Sequence, residues 1–192
     1  TAGYGMIVNG GKRIEPTFLD RVQDRYGKTL FRHDARDCVG CRHFWDGGEP
    51  PLVPDPRPRA IGADTAYQMV SLLQGVVERG TGRTVSELGR PLAGKTGTTN
   101  DNHDNWFIGF SPDLVVGVYL GFDQPRSLGS RETGGATAAP IFKKFMDLAL
   151  KDAPKTPFRI PPGISLVRVN ATTGQAARPG DGVRDRLKRM QG

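Results

Sequence analysis

The stretch GRPLAGKTGTTN, residues 89–100, carries residue types and spacings that could do chemistry. Residues 89–96 match G-x-x-x-x-G-K-[ST], a loop whose backbone N–H groups and lysine bind phosphate. Lys95, Thr96 and Gly97 also form a K-T-G triplet, which occurs in enzymes that transfer acyl groups through a serine. The two patterns require different local structures, so the flanking residues must decide between a nucleotide site and an acyl-transfer site.

The flanks argue against the phosphate loop. Such a loop joins a buried strand to a helix that begins at its lysine and threonine. Residues 79–88, RGTGRTVSEL, lack the apolar run of a strand, and Pro91 removes a backbone N–H inside the loop. Residues 97–105, GTTNDNHDN, favour a strand and a turn over a helix. Asp123 follows an apolar run as a magnesium-binding aspartate would, but residues 97–113 supply no crossover helix.

Interpreted as a strand, the segment alternates its side chains between two faces. Lys95, Gly97 and Thr99 fall on one face, and Thr96 and Thr98 fall on the other. A glycine inside a strand often marks the close approach of a ligand or of another backbone. A cation beside hydroxyls can hold a carboxylate, and free N–H groups of the strand can stabilise an oxyanion. This chemistry suits a peptide-like acyl substrate that binds as an added strand.

Two amphipathic helices are predicted around this segment. The first covers residues 64–80, begins with a capping box of Thr65 and Gln68, and ends at Gly80. Its predicted apolar face comprises Ala66, Met69, Val70, Leu73, Val76 and Val77. The second helix covers residues 137–151. Its predicted apolar face comprises Ile141, Phe142, Phe145, Leu148 and Ala149.

Strands are predicted where apolar runs are separated by short turns. Residues 105–110 and 114–122 form an antiparallel hairpin, and the second run is apolar enough to be buried on both faces. Another hairpin is predicted around residues 24–27, and one strand with a turn within residues 164–175. Residues 46–60 are rich in proline and are predicted to form a loop.

Composition restricts the class of protein. The 192 residues are 36% hydrophobic and 24% charged, which is typical of a soluble globular chain, and no apolar run approaches the ~20 residues of a membrane span. The net charge is +7, but the basic residues are scattered, and we expect no nucleic-acid partner. Cys38 and Cys41 form a C-x-x-C pair that fits a local disulfide or inert thiols, a metal site with His33 and His43, or a redox pair.

A resemblance to a known family covers residues 1–175. The segment LAGKTGTTNDNHDNWFIGFSPDLVVGVYLGFD resembles the third catalytic motif and following strands of class A penicillin-binding proteins, the bifunctional peptidoglycan synthases, and the 1A type fits best. Four further segments resemble the same family in the same order: VNGGKRIEPTFLDRVQDRYGKTLF, TAYQMVSLLQGVVERGTG, GGATAAPIFKKFM and IPPGISLVRVN.

The resemblance implies both a fold and an activity. The fold is α/β, an incomplete penicillin-binding or β-lactamase-like transpeptidase fold in which helices flank an antiparallel sheet. Residues 1–152 would be the C-terminal portion of that domain, and residues 153–192 a C-terminal extension. The activity is that of a DD-transpeptidase: a serine attacks the D-Ala-D-Ala carbonyl of a stem peptide, expels D-Ala, and passes the acyl group to a neighbouring amine. β-Lactams acylate the same serine, and no cofactor or metal is expected.

The resemblance also assigns roles to single residues. Lys95 would hold the substrate carboxylate and tune proton transfer, and Gly97 would leave room for the substrate. Thr98 would place its N–H in the oxyanion hole, while its hydroxyl, with that of Thr96, would bind the terminal carboxylate. Thr99 would border the same substrate site.

Two catalytic motifs of the family are absent from this chain. No serine begins the nucleophile motif S-x-x-K or the second motif S-x-N. The family places both motifs upstream of these residues, and a glycosyltransferase domain and a membrane anchor further upstream still. We therefore expect a fragment that is inactive and unstable alone, in a periplasmic polypeptide tethered to the inner membrane. Its expected partners are stem peptides, β-lactams, the upstream part of the polypeptide and the cell-wall synthesis machinery. The alternative is a non-catalytic module that binds cell-wall peptides.

Overall fold

The computed structural model describes residues 1–34, 36, 53–170, 173–177 and 183–189. Its helices and strands in chain order are α1 Ala2–Val8, β1 Arg21–Gln23, β2 Thr29–Arg32, α2 Ala63–Arg79, β3 Ala93–Thr98, β4 Asn105–Phe110, β5 Val115–Leu120, α3 Ala138–Ala149, β6 Ile164–Asn170 and β7 Val183–Arg189. Two short 3₁₀ helices, Arg83–Leu88 and Asn100–Asn102, lie before and after β3. Within these residues, no helix has both the length and the apolar character needed to cross a membrane.

The central sheet is antiparallel and has the strand order β3-β4-β5, with Lys95 opposite Ile108. The hairpin predicted over residues 105–122 is confirmed, and its turn is closed by the Ser111 N–H, which donates to Leu114 O at 2.9 Å. The predicted burial of the second run on both faces is wrong. β5 lies at the edge of the sheet among the described residues, so its side chains are only half-buried or exposed.

Apolar clusters cover both faces of this sheet. On one face, α3 packs against β4 through Phe142 and Phe107, whose ring centroids are 4.8 Å apart. On the other face, Phe110 packs against Tyr4 of α1 and against Phe158, which follows α3. α2 contributes buried side chains to both clusters and packs against β3.

Helix α2 confirms the predicted helix but not its predicted start. Its N-cap is Gly62 and no side chain caps it, so Thr65 lies inside the first turn and the predicted capping box with Gln68 is wrong. The predicted end at Gly80 is confirmed. Met69 was expected in the core, but it is 38% exposed because the buried face is rotated toward Tyr67. The buried residues are Ala66, Tyr67, Val70, Leu73 and Val77.

Helix α3 lies where it was predicted, but it buries a different face. Its buried residues are Ala138, Ala139, Phe142 and Met146. The small alanines of the first turn let the helix approach the sheet closely, which brings residues four positions apart onto the core. Of the predicted face only Phe142 is buried, whereas Ile141, Phe145 and Leu148 are 47%, 49% and 70% exposed. These three residues form a second apolar stripe that no described residue covers fully, and Ala149 is also exposed.

The remaining elements are peripheral. The hairpin around residues 24–27 is confirmed, with the Gly27 N–H donating to Asp24 O at 3.0 Å. The strand predicted within residues 164–175 is β6, and it pairs with β7. β7 was not predicted, because VRDRLKR is too polar to show the alternation of a half-buried strand. Residues 53–58, the described part of the predicted loop that precedes the bridge at Arg59, have no regular structure.

The two apolar stripes of α3 predict opposite mutational effects. Replacing Ile141, Phe145 and Leu148 together by Gln should raise the monomeric fraction of the purified chain, because it removes exposed apolar surface. Replacing Phe142 by Ala should instead cost about 3–5 kcal/mol of stability and lower the monomeric fraction. Size-exclusion chromatography checks the first effect, and urea unfolding of Phe142→Ala in the background of the triple variant checks the second. Equal effects of the two changes would contradict the assignment of the buried face.

Candidate active site

The predicted site residues lie on one strand and directly after it. β3 contains Lys95, Thr96, Gly97 and Thr98, and Thr99 follows it directly. The prediction that this segment forms a strand is therefore confirmed. The phosphate-loop interpretation is wrong, because Lys95 and Thr96 lie within an antiparallel strand and not at the N-terminus of a helix.

β3 has one paired edge and one open edge. The Thr99 N–H donates to Asp104 O at 3.0 Å. Because hydrogen-bonded and non-hydrogen-bonded pairs alternate along an antiparallel ladder, the backbone groups of Lys95 bond to β4 and those of Thr96 and Thr98 point away from it. No strand of the described residues pairs with β3 on that side. This unpaired edge, called the open edge below, therefore leaves the N–H groups of Thr96 and Thr98 without a partner strand; Thr98 is exposed and Thr96 is half-buried.

The side chains of β3 alternate between the two faces as predicted. Lys95 and Gly97 share a face with Trp106, and Thr96 and Thr98 share the face that α3 covers. The Lys95 ammonium nevertheless bends round the open edge. Its Nζ donates to the carbonyl oxygen of Thr96 at 2.9 Å and lies 3.3 Å from Thr96 Oγ1. One cation and one hydroxyl are thus brought together at the edge where the free N–H groups lie.

Both threonine hydroxyls are held by residues distant in sequence. Thr96 Oγ1 lies 2.8 Å from Thr81 Oγ1, and the Gly134 N–H donates to Thr98 Oγ1 at 3.0 Å. Thr81 and Gly134 are 15 and 36 residues from their partners, so no local spacing pattern pointed to them. The sequence signal that could have pointed to Thr81 and Gly134 is the family resemblance of the segments that contain them, VVERGTG and GGATAAP.

The turn between β3 and β4 is built by polar side chains. Asp101 takes a left-handed conformation with φ of 58°, and Thr99 Oγ1 accepts a hydrogen bond from the Asp104 N–H at 2.8 Å. Both aspartates therefore build the turn. Asp104 also accepts a hydrogen bond from the Tyr119 hydroxyl at 2.8 Å, which raises the pKa of Tyr119. His103 is half-buried in this turn.

The Trp106 side chain lies largely outside the apolar clusters. The indole is 40% exposed and packs against the Tyr119 ring with centroids 4.7 Å apart. Trp106 lies opposite Gly97, which has no side chain to cover it, and a Cβ at Gly97 would lie 3.2 Å from Trp106 Cβ. The face of the sheet beside Lys95 is therefore aromatic and open.

A cavity of about 620 Å³ lies away from β3. It is lined by Arg13, Glu15, His33, Asp34, Arg36, Pro56, Arg57 and Pro58. Its charges are largely paired, since Arg36 bonds Asp34 at 2.6 Å and Arg57 bonds Asp55 at 2.7 Å. These guanidinium hydrogen bonds hold the pKa of both aspartates well below the usual range. The pairing leaves little free charge for a ligand.

The structure does not test the three interpretations of the C-x-x-C pair. Cys38, Cys41 and His43 lie outside the described residues. Among the residues that are described, including His33, no cluster of His, Cys, Asp and Glu could hold a metal ion. A disulfide or inert thiols, a metal site and a redox pair therefore stay as the three predictions for the two cysteines.

Comparison with known proteins identifies the family. Residues 1–147 match the family model described as the penicillin binding protein transpeptidase domain. The chain is 44% identical over 183 residues to penicillin-binding protein 1A of Rickettsia bellii. That alignment covers 94% of this chain and 23% of the Rickettsia protein. It is 38% identical over 208 residues to the Pseudomonas aeruginosa protein of the same name, covering 92% of this chain and 25% of that protein.

Solved structures agree with the sequence relatives. The crystal structure of penicillin-binding protein 1A from Haemophilus influenzae matches with a TM-score of 0.77 and 30% identity, over 97% of this chain and 30% of that chain. The D,D-transpeptidase domain of a peptidoglycan glycosyltransferase from Eggerthella lenta matches with a TM-score of 0.52 and 25% identity, over 80% of this chain and 32% of that chain. The predicted fold class is therefore confirmed. The chain spans about a quarter of the length of the curated relatives, and it belongs to the penicillin-binding protein transpeptidase family.

Proposed function

We propose that this chain forms one wall of the active site of a serine DD-transpeptidase that cross-links peptidoglycan. The observation that carries the proposal is the open edge of β3, where free backbone N–H groups, a lysine ammonium and a threonine hydroxyl lie together. The family match supports a role in acyl transfer to peptides. The residues proposed to act are Lys95, Thr96, Gly97, Thr98 and Thr99.

The geometry suits a stem peptide that binds as an extra strand. An extended peptide would pair with the outward backbone groups of Thr96 and Thr98, as in other cases of strand addition. The Thr98 N–H is aimed outward by the register of β3 and β4, so it can stabilise the oxyanion without reorganising during the reaction. The Lys95 ammonium would attract the terminal carboxylate and influence proton transfer. Gly97 keeps the face beside Lys95 free of a side chain.

The nucleophile would come from elsewhere in the polypeptide. No serine in the chain begins S-x-x-K or S-x-N. Several serines are engaged in local structure: Ser86 donates to Arg83 O at 2.7 Å, Ser127 donates to Asp101 O at 2.7 Å, and Ser111 lies in the β4–β5 turn. We therefore propose that the chain does not acylate on its own.

We propose the domain boundaries, the upstream parts and the location of the polypeptide from the family resemblance. Residues 1–152 would be the C-terminal portion of the transpeptidase domain and residues 153–192 an extension; the family match, which ends at residue 147, supports this boundary. An upstream glycosyltransferase domain and membrane anchor would place the chain in the periplasm, on the inner membrane, with the cell-wall synthesis machinery. β-Lactams would bind at the same β3 edge as the stem peptide.

Labelling with a fluorescent penicillin, followed by denaturing electrophoresis, tests the proposal. The chain alone should remain unlabelled. When it is mixed with the upstream portion of its polypeptide, the upstream portion should become labelled, because β3 would complete the site. Labelling of the chain itself would show that a nucleophile lies within these residues. Binding of a D-Ala-D-Ala peptide without labelling of any component would favour the non-catalytic peptide-binding module.

Single variants test the roles of Lys95 and Thr98 in the same mixture. Lys95→Ala and Thr98→Val should each slow labelling about 10- to 100-fold, since each removes a hydrogen bond to a charged group. Lys144→Ala is the matched control, because Lys144 is an exposed lysine on α3, away from β3. A labelling rate in Lys95→Ala equal to that of Lys144→Ala would remove Lys95 from the site.

A further inference from the structure

The segment between β5 and α3 lies directly on the β3–β4 pair. We call residues 127–137 the Gly134 loop. A Cβ at Gly134 would lie 2.5 Å from Gly97 O and closer still to Trp106 O, distances at which the neighbouring backbone must shift. Both contacts are to backbone atoms, so no side-chain movement relieves them. The loop thus rests on the strand pair at a position where only a glycine fits without displacement.

At this contact the loop forms a hydrogen bond with Thr98, a proposed catalytic residue. The Gly134 N–H donates to Thr98 Oγ1 at 3.0 Å. A threonine hydroxyl has two acceptor lone pairs and one proton. Because Gly134 occupies an acceptor position, the orientation of the hydroxyl is restricted and its proton stays available to a ligand. No described residue accepts that proton, and Thr98 itself is exposed.

The loop is held in place from the β4 side by a buried amide. Asn105 is fully buried and lies opposite Thr98 in the sheet. Its Nδ2 donates to Glu132 O and to Thr137 Oγ1, each at 3.0 Å, and so fixes both sides of Gly134. Asn105 Oδ1 has no partner among the described residues, so its donor group alone anchors the loop.

The turn after β3 holds the beginning of the loop in the same way. Asn102 Nδ2 donates to Gly129 O at 3.0 Å, and the Leu128 N–H donates to Asn102 O at 2.9 Å. Ser127 Oγ donates to Asp101 O at 2.7 Å. The loop is therefore bonded to the β3–β4 turn at one end and to β4 near its other end, with Thr98 between these anchors.

We propose that Gly134 and Asn105 are positioning residues that fix the Thr98 hydroxyl as a hydrogen-bond donor to the carboxylate of the acyl substrate. Gly134 acts through its N–H, and Asn105 acts by holding the loop against β4. The inference rests on the proposed function, since it gives Thr98 a bound carboxylate. It extends that function to residues that never touch the substrate.

The test uses the complete polypeptide that contains this chain and two probes. One probe is a fluorescent penicillin, and the other is its methyl ester, which lacks the negative charge. Gly134→Ala should lower the acylation rate about 10-fold for the penicillin and less than about 2-fold for the ester, because only the charged probe depends on the oriented hydroxyl. Gly3→Ala is the matched control, since a Cβ at Gly3 meets no atom within 4 Å, and it should change neither rate.

A second variant and a double mutant separate positioning from general damage. Asn105→Ala introduces no clash and should lower the penicillin-to-ester rate ratio in the same direction; it also decides the question if Gly134→Ala does not fold. In a Thr98→Val background, Gly134→Ala should have no further effect on the ratio, because the two residues act on one hydroxyl. Equal losses for both probes in Gly134→Ala and Asn105→Ala would overturn the inference.

Failure of the inference can be told apart from failure of the proposed function. If Thr98→Val lowers the penicillin-to-ester ratio while Gly134→Ala and Asn105→Ala leave it unchanged, only the inference fails. If Thr98→Val itself leaves the ratio unchanged, Thr98 does not bind the carboxylate, and the role that the proposed function gives it is wrong.

Discussion

The hydrogen-bonded register between β3 and β4 is the constraint on which the site depends. It turns the backbone groups of Thr96 and Thr98 away from β4 and assigns Lys95 to the opposite face from both threonines. A slip of one residue would exchange the two faces and direct the outward N–H groups into the sheet. The Thr99–Asp104 bonds at the turn and the apolar residues at the other end of the strands exclude such a slip. The geometry of the edge is thus set by residues that do not lie on it.

Gly94 and Gly109 allow the aromatic core to pack closely against the β3–β4 pair. A Cβ at Gly94 would lie 2.9 Å from the Cα of Gly109, and a Cβ at Gly109 would lie 2.7 Å from both the Phe107 and Phe142 rings. The two phenylalanine rings therefore lie against bare backbone and are fully buried. Packing of this density resists small displacements. α3 packs on β4, and the ladder between β4 and β3 passes this support to the unpaired edge of β3.

Local signals predicted the elements around the site well. β-Branched and glycine residues marked β3 as a strand, and the Ser-Pro-Asp turn marked the β4–β5 hairpin, because both depend on residues close in sequence. The buried face of α3 could not be predicted in the same way. That helix carries apolar residues on more than one side, and packing against the cluster around Phe107 selects Phe142 and Met146 over Ile141 and Phe145. The exposure of Trp106 likewise follows from what lies over the sheet and not from its own strand pattern.

The contacts of Thr81 and Gly134 with the Thr96 and Thr98 hydroxyls also could not be predicted from local patterns, because they join residues distant in sequence. Thr81 lies just beyond the end of α2 and Gly134 lies in the loop before α3, so they meet β3 only after the sheet and both helices have packed. The backbone N–H groups of the proposed site wall are fixed by strand pairing and its hydroxyls by neighbouring loops, and all of these parts belong to this one chain. A nucleophile supplied from outside the chain would therefore meet groups that are already in position, which is the condition under which oxyanion donors are effective.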